Sequence, residues 1–134
     1  MSQIKVTVWN EYLEDQKGKD IADVYPKGLH NTIADFLNRD NDIKAGVSII
    51  SDAEQGLSEQ VLNNTDVLVW WGHKHHEEIE DRLVKRVMDR VQRGMGIIFL
   101  HSAHRSKPFL NLLGTSGRLS WREADERCRS FCLC

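Results

Sequence analysis

Four of the six histidines follow directly after two apolar segments, and their spacing could bring imidazole rings together. His73 and His76 follow the first segment, and His101 and His104 follow the second. Neutral imidazole is a common nitrogen ligand for divalent ions, and it also titrates near neutral pH. The pattern therefore favours either a divalent metal site, with zinc as the expected ion, or acid–base chemistry. We expect catalytic roles for His73, His101 and His104, and metal ligation by these three together with His76.

The two segments have the composition of buried strands. Asp66–Trp71 and Gly96–Leu100 are short apolar runs, typical of strands that are covered on both faces of a parallel sheet. Between them, apolar residues recur at helical spacing from Ile79 to Val91. A strand–helix–strand unit predicts two parallel strands. Because open parallel sheets bind ligands outside the carboxyl ends of their strands, both histidine pairs are predicted at such a site.

A simpler interpretation of the first histidine pair remains open. His73 and His76 could be ordinary loop and first-turn residues, with Glu77 and Glu78 favoured by the helix dipole. The spacing H-x-x-H is a loose pattern outside its helical metalloprotease form. The sequence alone does not decide between this interpretation and a functional cluster.

Ser102 offers a different chemistry, because it lies at a strand-to-helix corner where a nucleophile elbow would stand. It is flanked by His101, and His104 is two residues away. However, the glycines of the G-x-S-x-G pattern are absent, and no acid is assigned to orient a histidine. A serine hydrolase is therefore a weaker alternative.

Tryptophans at strand ends suggest a surface for a sugar ring. Trp9 and Trp71 end two apolar segments, and aromatic rings often stack on the apolar faces of sugars. Since successive strand residues face opposite sides of a sheet, at least one of Trp70 and Trp71 is expected in the core. We see no glycine-rich phosphate loop, because the Gly94 and Gly96 pair precedes a strand, and we expect no nucleotide cofactor.

The remaining pattern alternates strands and helices, which predicts an α/β fold with a mostly parallel sheet. Residues 14–20 are predicted as a loop, and Pro26 is expected in the first turn of a helix whose apolar face includes Phe36. The other predicted elements are strands at Ile4–Trp9, Val47–Ile50 and, more weakly, Leu119–Trp121, and helices at Leu57–Leu62 and Pro108–Leu113.

Composition limits the classes of partner. The chain has 134 residues, which suits one domain, and its formal net charge of −2 gives no electrostatic case for nucleic acid or an anionic membrane. No apolar run approaches the roughly 20 residues of a spanning helix, and no signal-peptide core is seen, so a cytoplasmic location is expected. Cys128, Cys132 and Cys134 are crowded at the end, where residues 128–134 are predicted to form a disordered tail.

Three segments resemble the ThuA-like (trehalose utilisation) family: Tyr25–His30, Val69–His76 and Gly96–His104. The resemblance runs from about Ile4 to Arg127. It implies a fold like that of class I glutamine amidotransferases, which is a flavodoxin-like sheet with helices on both faces. It also implies a cytoplasmic role in the use of trehalose or a related disaccharide.

The resemblance also carries expectations about site residues. His101 stands where amidotransferases have their nucleophilic cysteine, so amidotransferase activity is not expected. His30 joins Trp9 and Trp71 as a predicted substrate-binding residue. Family members are usually much longer, so residues 1–127 are interpreted as a partial domain with an incomplete sheet, whose exposed edge could support a homo-oligomer.

Two functions follow as alternatives. The first is binding of a small sugar or keto-sugar at the histidine-rich strand ends, with metal-assisted acid–base chemistry. The second is a non-catalytic binding or assembly module, equivalent to an inactive amidotransferase-like domain.

Overall fold

A computed structural model describes residues 3–13 and 18–120 of the chain. Its four strands form one sheet in the order β2-β1-β3-β4, and every neighbouring pair is parallel. The strands are β1 Ile4–Asn10, β2 Ile43–Ile49, β3 Val67–Trp71 and β4 Gly96–Leu100. The helices are α1 Lys19–Val24, α2 Leu29–Leu37, α3 Glu59–Asn63, α4 Asp81–Gln92 and α5 Lys107–Leu113. This flavodoxin-like arrangement confirms the predicted α/β fold class.

Helices cover both faces of the sheet because strand side chains alternate in direction. Val8 and Val69 point to the face covered by α2, where Ala34 is also buried. Trp70 and Leu83 belong to the larger cluster on the opposite face, where α4 packs. Among the described residues, no helix combines the length and apolarity needed to cross a bilayer.

The strand register brings three carboxyl ends to the same level. Asn10 pairs with Trp71, and Trp71 pairs with Leu100. The next residues along these three strands are Glu11, Gly72 and His101. The fold therefore places residues from three separate parts of the sequence along one rim, which we call the strand-end rim.

Helix α2 differs from its predicted form at two positions. Pro26 lies in a turn before the helix, whose N-cap is Gly28 with a φ of 81°. Phe36 is 65% exposed and does not contribute to the buried face. The reason is geometric: Phe36 is two residues from the buried Ala34, a rotation of roughly 200° around the helix axis.

Other boundaries also differ from the sequence prediction. Strand β2 begins at Ile43, because Ile43–Ile49 pairs along its whole length with β1. Residues 19 and 20 belong to the predicted loop, but in the structure residues 19–24 form α1, a helix with no buried residue. Leu119 and Ser120 are not in a strand. Trp121 and the cysteine-containing segment 128–134 lie outside the described residues.

A core substitution tests the packing of α4 on the sheet. Leu83 is fully buried, so Leu83→Ala is expected to lower the free energy of unfolding by about 2–5 kcal/mol through lost burial and a residual cavity. Phe36→Ala, a control at an exposed apolar residue, should change it by less than about 0.5 kcal/mol. Urea denaturation followed by circular dichroism measures both, and equal losses would contradict the packing described.

Candidate functional site

His73 and His101 meet at the strand-end rim, although 28 positions separate them in the sequence. Their ring centroids are 6.4 Å apart, and both side chains are exposed. The indole of Trp71 stacks near the His73 ring, with centroids 6.1 Å apart and an interplanar angle of 16°. Two predicted catalytic imidazoles and one predicted substrate-binding ring therefore share one surface.

Ser102 fixes the orientation of the His73 ring. The Ser102 hydroxyl donates to the carbonyl oxygen of Gly72 at 2.9 Å, and its oxygen lies 2.8 Å from His73 Nδ1. Because the hydroxyl has a single proton, already directed at Gly72, His73 Nδ1–H must be the donor in the second contact. The neutral ring then carries an unprotonated Nε2. This geometry makes Ser102 a hydrogen-bonding support for His73, and it does not activate Ser102 as a nucleophile.

The corner after β4 holds His101 in an unusual backbone conformation. Its φ of 48° lies in the left-handed region, which costs a residue with a Cβ about 1–2 kcal/mol. Tyr12, which follows β1, also has a positive φ of 33°. Such strain is concentrated at functional sites, where the surrounding structure maintains it. His101 is thus presented at a sharp turn at the end of its strand.

Glu11 ties the end of β1 to the loop that follows β3. Its side chain is 1% exposed, and its two carboxylate oxygens accept backbone N–H bonds from Lys74 at 2.9 Å and from His75 at 3.2 Å. A carboxylate that accepts backbone donors makes bonds roughly twice as strong as neutral ones. The loop that carries His73 and His76 is therefore held by a residue from a different strand.

Gly72 allows this close packing because it has no side chain. A Cβ at this position would lie 3.3 Å from His76 Nδ1, 3.3 Å from Trp70 Nε1 and 3.4 Å from Glu11 Oε2. A larger residue would require the imidazole, the indole or the carboxylate to shift by a few tenths of an ångström. The glycine therefore lets the loop pass directly over Glu11.

His76 and His104 lie on the edge of the cluster. His76 is half-buried, and none of the described residues gives its buried Nε2 a hydrogen-bond partner. Burial is the main cause that lowers the pKa of His76; Glu11 opposes this, while Arg105, His104 and His73 add to it. His104 Nδ1 lies 3.3 Å from the carbonyl oxygen of His101, so its ring supports the turn after β4.

The histidines predicted to bind a metal ion have few donors beside them in the described part of the chain. Within residues 3–13 and 18–120, no group of three or more His, Cys, Asp or Glu side chains is placed to hold a metal ion. His73 Nδ1 and His104 Nδ1 already have partners on the protein. Four-histidine ligation therefore stays a prediction, and the described donors do not form the complete set.

Two predicted substrate-binding residues lie elsewhere. Trp9 is 1% exposed and stacks on Trp70 in the core, with centroids 4.0 Å apart, so its ring presents no surface for a sugar. His30 is 4% exposed beneath the rim. Its Nδ1 lies 3.1 Å from Asn10 Nδ2, and its ring contacts the ring of Tyr12. His30 therefore supports the end of β1, and of the three residues only Trp71 is placed at the rim.

The side chains of Glu11 and Asn10 are the site features that sequence reasoning missed. The Asn10 amide joins two elements, since its Oδ1 accepts the N–H of Tyr12 while its Nδ2 faces His30. The available signal was the presence of two polar residues directly after an apolar strand. Such residues are expected at the ligand-binding edge of a parallel sheet.

Comparison with known proteins identifies one family. A sequence model of the ThuA family, described as trehalose utilisation, matches residues 5–129, which is nearly the whole chain. A search of curated proteins finds no match.

Loss of the Glu11 carboxylate should release the loop after β3. Glu11→Gln keeps the shape but replaces one acceptor oxygen with an amide donor, which removes the Glu11 acceptor of Lys74 N–H or His75 N–H at a cost of about 1–3 kcal/mol. Hydrogen exchange at these two amides should become faster. Glu77→Gln, an exposed change in the same loop, is the control. Unchanged exchange in Glu11→Gln would contradict the role assigned to the carboxylate.

Stability should fall in mild acid because two histidines are buried in the neutral form. Burial lowers the pKa of both His30 and His76 from the ordinary value of 6.5, so the unfolded chain binds protons more readily than the folded one. The contribution of the two neutral histidines to the free energy of unfolding is complete above pH 6.5 and is lost as the pH falls below it. Urea denaturation between pH 7.5 and 5 should show this decrease. In the double variant His30→Gln/His76→Gln, the free energy of unfolding should depend less steeply on pH than in the parent. An equal dependence on pH would contradict the assignment of this effect to His30 and His76.

Proposed function

Because the chain belongs to the ThuA (trehalose utilisation) family, we propose that it acts on a sugar or keto-sugar at the strand-end rim. The family suggests a role in trehalose utilisation. Our proposal adds the chemistry, which is proton transfer by the imidazoles of His73 and His101. It also places this chemistry in the cytoplasm, where a sugar taken up by the cell would be processed.

The observation that carries the proposal is the hydrogen-bond geometry that links Gly72, Ser102 and His73. Since Ser102 donates to Gly72 and accepts from His73 Nδ1, the lone pair of His73 Nε2 is left to act as a base. Imidazole is the side chain best suited to take and return a proton near neutral pH. His101, whose ring centroid is 6.4 Å away, is the partner that would exchange a proton with the substrate oxygen.

The proposed step is enolisation next to a carbonyl group. His73 Nε2 removes a proton from the carbon beside the carbonyl, and the electrons of the broken C–H bond form a carbon–carbon double bond. The carbonyl π electrons move to oxygen, which takes a proton from the protonated His101 ring. Return of the proton from His73 to the same carbon, while His101 takes back the proton on oxygen, completes an exchange. Delivery of the His73 proton to the former carbonyl carbon, while His101 takes the proton of a hydroxyl group on the neighbouring carbon, completes an isomerisation. No oxidant or reductant is required.

Trp71 supplies the proposed contact with the sugar ring. It is half-buried at the end of β3, and its indole lies beside the His73 ring. Stacking of a sugar on an indole uses the apolar face of the sugar and leaves the hydroxyl groups for polar partners. A substrate on Trp71 would therefore lie next to the proposed base.

A divalent ion is the second candidate feature of this site. The His73 and His101 rings are near enough to each other to contribute two nitrogen ligands, and other ligands would have to come from the substrate, from water or from a shift of His76. The described donors do not by themselves complete the coordination of an ion, and the proposed proton transfer does not require one.

The proposal is tested by hydrogen exchange into a keto-sugar. Wild-type protein in D₂O should promote exchange of the protons beside the carbonyl of D-fructose, measured by proton NMR. His73→Ala and His101→Ala should each reduce the rate about 100-fold or more, the usual contribution of a general acid or base. His75→Ala is a matched control, because its ring nitrogen Nδ1 contacts Glu78 and is not at the His73–His101 contact.

Binding is measured separately by calorimetry with trehalose and with Zn²⁺. Loss of trehalose binding in Trp71→Ala, with the circular dichroism spectrum unchanged, would support the stacking contact. No exchange with wild-type protein, together with equal trehalose binding in wild type, His73→Ala and His101→Ala, would contradict the proposed function. Zinc binding that is lost in both His73→Ala and His101→Ala would support a divalent-ion site at the rim.

A further inference from the structure

A separate cavity shares the Trp71 wall of the candidate site. Its volume is about 190 Å³. The cavity lies between the ends of β1 and β3 on one side and the region from α1 to the start of α2 on the other. Its lining residues are Asn10, Tyr12, Ile21, Tyr25, Leu29 and Trp71. We call it the Trp71 cavity. Neither the sequence analysis nor the proposed proton transfer assigns it a role.

The walls of the Trp71 cavity are almost wholly apolar. Its amide-bearing residue, Asn10, already uses its Oδ1 for the N–H of Tyr12 and its Nδ2 for His30. A hydroxyl-rich ring in this space would give up hydrogen bonds to water without replacing most of them, which is costly. An apolar group would instead gain from burial. The chemistry of the walls therefore favours a group without hydroxyls.

The size of the cavity fits a single small ring. An apolar cavity of about 150 Å³ can accept benzene. The 190 Å³ of the Trp71 cavity therefore suits one aromatic ring or a short alkyl chain, and it is too small for an apolar ring together with a sugar ring. The sugar would have to remain outside, at the strand-end rim.

Two features connect the cavity with the rim and leave it open to a ligand. Trp71 is common to both, since it lines the cavity and stacks near His73. Ile21 lines the cavity but is 41% exposed, and α1 has no buried residue. A ligand in the cavity would cover apolar surface of Ile21 that the protein leaves in contact with water.

We propose that the Trp71 cavity is a subsite for an apolar ring or short alkyl group attached to the sugar bound at the rim. The preferred substrate class is then a sugar derivative that keeps a carbonyl group for the proposed proton transfer and also carries an apolar substituent. This inference rests on the proposed function for the sugar part, whereas the binding of the apolar group depends on the cavity alone.

The test compares phenyl α-D-glucopyranoside with methyl α-D-glucopyranoside by calorimetry on the full chain. The phenyl compound should bind at least tenfold more tightly, because it buries a ring that the methyl compound lacks. Ile21→Asp, at the exposed wall of the cavity, should remove this preference. Val24→Asp is the matched control: Val24 is 66% exposed on the same helix and does not line the cavity, so the preference should remain.

A second variant and a fragment separate the cavity from the sugar site. Leu29→Trp should fill the cavity and bring the two glucosides within about twofold of each other. Phenol, followed by saturation-transfer NMR, should bind to wild type and to Val24→Asp but not to Ile21→Asp. If phenol shows this pattern of binding while neither glucoside binds, the result supports the apolar subsite and contradicts the proposed binding of a sugar at the rim.

Three results would overturn the subsite. The first is equal affinity of the wild type for the two glucosides. The second is failure of phenol to bind. The third is an equal loss of phenol binding in Ile21→Asp and Val24→Asp, which would indicate a general effect of charge on α1.

Discussion

The site depends on one buried interaction, in which the Glu11 carboxylate accepts N–H bonds from Lys74 and His75. Two oxygens of one side chain accept hydrogen bonds from two successive backbone donors of this loop. A charged group is rarely buried unless it is paired in this way. The interaction joins the end of β1 to the loop after β3. Without it, the position of His73 relative to His101 would depend mainly on Ser102.

Most of the fold could be predicted because its central elements have strong patterns. Strands β3 and β4 are continuous apolar runs, and α4 repeats its apolar residues at helical spacing, so their types and approximate bounds followed from the sequence. Edge and surface elements were harder. In the first half of β2, Ile43 and Ala45 pack against the core, but they alternate with Lys44 and Gly46, so the apolar signal there is weak. Helix α1 has only 6 residues and buries none of them, so its two apolar residues at helical spacing, Ile21 and Val24, are too short a pattern to predict a helix.

The site could be predicted only in part. Strand order and the carboxyl-end rule correctly brought His73 near His101, because both follow parallel strands that are neighbours. The rule does not say which way a side chain turns, so it does not predict that Trp9 and His30 are buried. The roles of Glu11 and Ser102 depend on contacts between residues 63 and 29 positions apart, respectively. No local pattern encodes such contacts.

The central claim is that His73 and His101 form one acid–base unit, with His73 oriented through Ser102. Nitrogen-15 NMR of the imidazole rings measures this directly, because it distinguishes protonated from unprotonated ring nitrogens. The account predicts a proton on His73 Nδ1 and an unprotonated Nε2. When trehalose is added, the nitrogen-15 chemical shifts of both the His73 and the His101 rings should change with one common dissociation constant. A proton on Nε2 instead, or a response from only one of the two rings, would contradict it.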